Sequence, residues 1–130
     1  MRIPRAVLDA IVAHARAEAP LECCGLLIGS GETIVESHAV ENTRRSPVAF
    51  EVDPAGHFAA IRKARGMGLA VIGAYHSHPR SPAVPSETDV REANDAGFVH
   101  VIVSLATVPA EVRAYRIVGD TSQELPLHIA

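Results

Sequence analysis

At 130 residues, 48% of them hydrophobic and 21% charged, with a formal charge of −3, the chain fits one ordinary globular domain spanning 1–130. The balanced charge, with only the short basic pairs Arg44-Arg45 and Arg62-Lys63, argues against a nucleic-acid partner. No apolar run approaches the roughly 20 residues of a membrane span, and the adjacent pair Cys23-Cys24, the sole cysteines, suits a reducing cytoplasm.

The first segment, Ile3 to Glu18, carries an apolar stripe at Val7/Leu8, Ile11/Val12 and Ala15. With Pro4 in its first turn and Pro20 as a stop, it is predicted to be a helix. Asp9 and Glu18 within it exclude a signal peptide. Residues 24–29 and 33–40 read as strands joined at Ser30-Gly31, and 48–52 as a third strand. Asp53 and Pro54 supply a cap and a first turn for a second helix, whose inner side holds Phe58, Ile61 and Ala64/Arg65 and which ends near Gly66 and Gly68. Residues 69–76 form a nearly continuous apolar run, as in a central strand covered on both faces. After a polar loop with Pro79, Pro82 and Pro85, a third helix is predicted from Ser86 to Gly97, then strands at 99–105 and 112–118. Helices interrupt strands without a strict parallel repeat, so an α/β domain with a mixed sheet is expected.

The chemistry concentrates where the apolar strand ends, at His76-Ser77-His78-Pro79. Strand side chains alternate, so His76 and His78 share a face and Ser77 takes the other. Two imidazoles on one face can hold zinc, and Pro79 forces the chain off the sheet, placing both at its rim. Asp89, one turn into the third helix, could return to the same strand end. Two histidines and one carboxylate leave a fourth tetrahedral position open, as in catalytic zinc. The residues alone also allow a plainer account: two partly exposed strand-end histidines, Ser86 as a helix cap, and Asp89 as an acid favoured by the helix dipole. An Asp at that position is slightly off the capping-box pattern, which prefers Glu or Gln. Glu22 on its own is simply a charged loop residue. Cys24 sits in an apolar strand pattern and reads as core. His14, His38, His57, His100 and His128 lack ligand spacing.

Glu22, then His76-Ser77-His78-Pro79, then Ser86 and Asp89, together resemble the signature of the JAMM (MPN+) metalloprotease family. Residues 20–29 are similar to that family's glutamate-bearing segment, and Asn42 to Pro54 to the middle of its prokaryotic members. The likeness covers residues 3–118. It implies the MPN fold, a curved mixed sheet flanked by helices and similar to cytidine deaminases. It further implies one Zn²⁺ per chain held by His76, His78, Asp89 and water, with Glu22 as general acid/base and Ser86 helping to hold the oxyanion. The implied reaction is hydrolysis after the C-terminal glycine of a ubiquitin-like protein or of a sulfur carrier of the ThiS/MoaD type. A homodimer is left open. The chain lacks the long insertions of eukaryotic relatives, so linkage-specific deubiquitination is not expected. The alternative is a non-catalytic MPN-type module that binds ubiquitin-like proteins. A zinc deaminase, which generally needs a Pro-Cys-x-x-Cys ligand set, finds no CxxC here.

Overall fold

A computed structural model describes residues 1–93 and 95–130. Among them the elements run β1 (Arg2–Ile3), α1 (Arg5–Glu18), β2 (Cys24–Ser30), β3 (Thr33–Val40), α2 (Pro54–Gly66), β4 (Ala70–His78), α3 (Glu87–Glu92), β5 (Val99–Ser104), β6 (Glu111–Val118), β7 (Thr121–Leu125) and β8 (His128–Ile129). The strands form one sheet in the order β7-β6-β5-β4-β2-β3-β1-β8. β4–β5, β1–β3 and β1–β8 are parallel and the remaining pairs antiparallel. This is the curled, mixed sheet flanked by helices that the sequence led us to expect.

The sheet is covered on both faces, and strand alternation sorts the side chains between them. On one face, Val7, Leu8, Ile11 and Ala15 of α1 pack with Cys23, Leu27, Tyr75, Val99, Val101 and Val103. On the other, Cys24 and Leu26 pack with Ala60 of α2, joined by Phe50, Val52 and Ala74. β2 is therefore buried along all but its last residue, as a central strand must be. Gly25 is required there, because a Cβ would run into the Tyr75 ring. The β2–β3 hairpin turns at Gly31, whose φ of 57° favours glycine.

Four expectations are corrected. Ile3 belongs to β1, where Arg2 pairs with Thr33 and His128, and the helix starts after Pro4, whose carbonyl accepts the first turn's N–H groups from Val7 and Leu8. Residues 48–52 do not form a strand: the Asn42 side chain donates to the Ala49 carbonyl and accepts from the Glu51 amide, leaving one isolated bridge between Asn42 and Val52. The third helix ends at Glu92, with Ala93 already extended; the rest of its predicted span crosses residue 94, which lies outside the described residues. β7 and β8 were not predicted. The sequence Thr121–Leu125 has no apolar alternation, although Gly119-Asp120, with Gly119 at φ 60°, is a two-residue hairpin signal.

Candidate metal centre

His76 and His78 occupy the last turns of the ladder. His76 pairs with Cys24 of β2 and Ile102 of β5, and the His78 carbonyl accepts from the Leu105 amide. The parallel β4–β5 pair and the antiparallel β2 start thus meet at one rim of the sheet, the usual place for a site in an α/β fold. Pro79 releases the chain, and α3 returns to the same rim with Ser86 as its N-cap.

Three candidate donor atoms converge there. Asp89 Oδ2 lies 3.0 Å from His76 Nε2 and 3.1 Å from His78 Nε2, and the two imidazole nitrogens are 3.1 Å apart. Bonds of 2.0–2.1 Å to a tetrahedral ion would separate such donors by about 3.3 Å, so the donor set and its spacing fit a metal. Both histidines are buried, each 2% exposed. His78 Nδ1 faces the Pro82 carbonyl at 2.8 Å. A carbonyl only accepts, so Nδ1 carries a proton, and Nε2 is the nitrogen turned to the centre. The Phe50 ring stacks on His76, with centroids 4.4 Å apart and planes at 21°, which fixes that imidazole's orientation.

Ser86 and Asp89 form the helix cap, and the same contact turns Asp89 toward the histidines. The Ser86 hydroxyl accepts from the Asp89 amide at 3.0 Å, and the Ser86 amide donates to Asp89 Oδ2 at 2.9 Å, a reciprocal capping box. Burial alone would raise the Asp89 carboxyl. Its hydrogen bonds from both histidines and from the Ser86 amide outweigh that and hold it well below the ordinary carboxylate range. For His78, burial opposes a charge, but the Asp89 and Pro82 hydrogen bonds prevail and raise its pKa.

Glu22 reaches this centre from just before the start of β2. It is 4% exposed, and its Oε1 is fully buried without a hydrogen-bond partner. Burial, opposed by His78 and reinforced by Asp89, pushes the carboxyl up to about 8. A buried, unpartnered carboxyl oxygen is costly, and the charged groups that act on this carboxyl are His78 and Asp89. Its main chain is pinned: the Glu22 amide donates to the Ser46 carbonyl at 2.8 Å, and the Cys23 amide to Ser77 Oγ at 2.8 Å.

Two cavities border the centre. One of about 310 Å³ is lined by Glu22 with His14, Glu18, Cys23, Asn42 and Arg45. The other, about 300 Å³, is lined by His76 and Asp89 with Leu26, Phe50, Val52 and Phe98. Of the remaining candidates, Cys23 and Cys24 are buried free thiols, pushed by burial up to about 11 and about 12, so neither is a ready thiolate. His14 hydrogen-bonds the Tyr75 hydroxyl at 2.7 Å. Phe50, Ser77 and Asn42 frame the centre yet were not singled out from sequence; Ser77 lies inside the His-x-His-Pro run, but a Ser there carries no signal of its own.

The sequence profile of the prokaryotic homologs of the JAB domain matches residues 4–118. The desampylase of Haloferax volcanii is 35% identical over 128 residues, covering 93% of this chain and 90% of that protein. The CysO-cysteine peptidase of Mycobacterium tuberculosis is 34% identical over 126 residues, covering 95% and 86%. Among solved structures, a protein of Desulfitobacterium hafniense superposes with a TM-score of 0.91 at 30% identity, covering 99% of this chain and 92% of the other. A JAB1/MPN domain protein of Archaeoglobus fulgidus superposes with a TM-score of 0.67 at 25% identity, covering 100% and 97%.

Proposed function

The chain belongs to the family of prokaryotic JAB-domain proteins, and we propose that it is a zinc-dependent peptidase or isopeptidase that hydrolyses the bond after the C-terminal glycine of a ubiquitin-like or sulfur-carrier protein. The observation that carries this reading is the convergence of His76 Nε2, His78 Nε2 and Asp89 Oδ2 beside the unpartnered Glu22 Oε1. Relatives named desampylase and CysO-cysteine peptidase support the substrate class, and a carrier of the ThiS/MoaD type is its simplest member. The domain is one unit, 1–130, acting in the cytoplasm; among the described residues no helix is long and apolar enough to cross a membrane.

In this reading one Zn²⁺ per chain is held by His76, His78 and Asp89. When bound, it supplies a Lewis acid that brings the pKa of a water toward 7 and polarises the scissile carbonyl. Glu22, whose carboxyl the charge of the bound ion would draw down from its raised metal-free value, takes a proton from the attacking water and returns it to the leaving amine. Ser86 keeps its hydroxyl proton to donate to the carbonyl oxygen, because its own oxygen is already anchored by the Asp89 amide. His78 is held in the correct tautomer by Pro82, and Phe50 shields His76 from water.

The test is cleavage of a carrier–peptide fusion in which the peptide follows the carrier's C-terminal glycine. Cleavage is expected to stop in chelator and to return with added zinc. Cleavage that persists in chelator would remove the metal from the reaction. Binding of the carrier without any cleavage would leave the non-catalytic module instead.

A further inference from the structure

Between β3 and the cap of α2, residues 41–52 leave the sheet without forming a strand. This loop touches the centre twice. The Ser46 carbonyl accepts the Glu22 amide at 2.8 Å, and Phe50 stacks on His76. Backbone bonds close the ends of this segment, from the Thr43 amide to the Glu51 carbonyl at 2.9 Å and from the Asp53 amide to the Glu41 carbonyl at 3.2 Å. One side chain ties its interior to Glu22. The Asn42 carboxamide, in a residue only 9% exposed, fills both donor and both acceptor positions. Nδ2 donates to the carbonyls of Glu22 at 3.0 Å and Ala49 at 3.1 Å, while Oδ1 accepts from the amides of Arg44 and Glu51, each at 3.0 Å. A carboxamide is the one short side chain with two donors and two acceptor lone pairs. Aspartate would lose the donors and serine the reach.

We propose that Asn42 is a positioning residue for the peptidase reaction. Its carboxamide joins the Glu22 main chain and the 43–51 loop into one rigid unit, so the Glu22 carboxyl and the Phe50 ring are held at the centre together. The Asn42 carboxamide bonds only to main-chain groups, not to His76, His78 or Asp89. The inference rests on the peptidase reading for its catalytic half only; the mechanical half stands on the four hydrogen bonds. Ser77, which accepts from the Cys23 amide, anchors the next residue from the opposite side, so removing Asn42 frees the carbonyl side of Glu22 without releasing β2.

Two measurements on the full chain decide it. The first is hydrogen exchange on protein kept in chelator. Asn42→Ala should speed exchange of the Glu22, Arg44 and Glu51 amides by at least ~10-fold while the Ile102 amide in β5 stays as slow as in wild type. Asn42→Asp retains the acceptors, so Arg44 and Glu51 should stay protected and Glu22 alone should loosen. The second is kinetics of the zinc-loaded chain on the carrier–peptide fusion. Asn42→Asp should lower kcat by ~10–100-fold with KM within about twofold. In a Glu22→Gln background the same change should cost less than about twofold more, because its effect passes through Glu22. Unchanged exchange at all three amides, or an equal kcat loss with and without the Glu22 carboxyl, would overturn the proposal. If wild type cleaves no such fusion, the peptidase reading fails, and the exchange pattern still decides whether Asn42 joins Glu22 to the loop.

Discussion

One oxygen of Asp89 joins the Ser86 cap to the histidines: Oδ2 accepts the Ser86 amide at 2.9 Å and sits 3.0 Å from His76 Nε2 and 3.1 Å from His78 Nε2. The bond that closes the end of α3 therefore also aims the carboxylate at both histidines. The cap contact and the approach to the histidines are one arrangement here, which is why a helix as short as Glu87–Glu92 can present the carboxylate in a fixed direction.

Asp89→Asn separates the two tasks. An amide oxygen can still accept the Ser86 N–H, so the helix end should survive, with a melting temperature within a few degrees of wild type in chelator. Zinc affinity should fall by at least ~10²-fold and cleavage with it, because the ligating charge is gone. Calorimetric zinc titration beside a thermal melt checks both; full zinc affinity in the variant would remove Asp89 from the ligand set.

Ser86→Ala should show the complementary pattern. It deletes the cap bond to the Asp89 amide, at a stability cost of about 1 kcal/mol, and removes the donor to the carbonyl oxygen, lowering kcat by about 10²–10³-fold. Zinc content should remain at the wild-type level. A variant with full turnover would leave Ser86 as a cap only.

Glu22 gives the metal-stripped chain a pH signature. Its carboxyl is raised by burial from an ordinary 4.5 to about 8. Between those values the folded chain keeps a proton that the unfolded chain has lost, so stability present at low pH declines as pH rises through this window. Glu22→Gln has no such group and should decline less, by about 2–4 kcal/mol between pH 5 and pH 8. Urea unfolding of both proteins in chelator at the two pH values measures it. Parallel behaviour of the two proteins would show that Glu22 is not held in a desolvated place.

The cysteines should be spectators. Cys23 and Cys24 are buried, with thiols pushed up to about 11 and about 12, so iodoacetamide at neutral pH should leave activity intact and label both only after unfolding. Rapid inactivation of the folded protein would contradict the structure around β2.

Much of the centre was legible because it obeys local rules. Period-two alternation puts His76 and His78 on one face, Pro79 ends their strand, and Ser86 starts the helix that carries Asp89. The family resemblance then supplied Glu22, whose burial depends on contacts no local pattern records: it is polar, follows a helix, and is enclosed only when the 41–52 loop folds back on it. The 48–52 part of that loop was misread as a strand because Val48, Phe50 and Val52 alternate, while only one bridge, Asn42 to Val52, forms there and the Asn42 side chain takes up the groups of Ala49 and Glu51. β1 and β8, two residues each, are too short for any periodicity to register, and β7 is exposed along nearly its whole length.

The most direct test of the central claim is to strip wild type of metal and titrate zinc back while following release of peptide from a carrier fusion cut after glycine. The account predicts no release at the start, a rise that breaks at one zinc per chain, and no rise at any zinc level for His78→Ala. Release before zinc is added, or a rise that survives loss of His78, would contradict it.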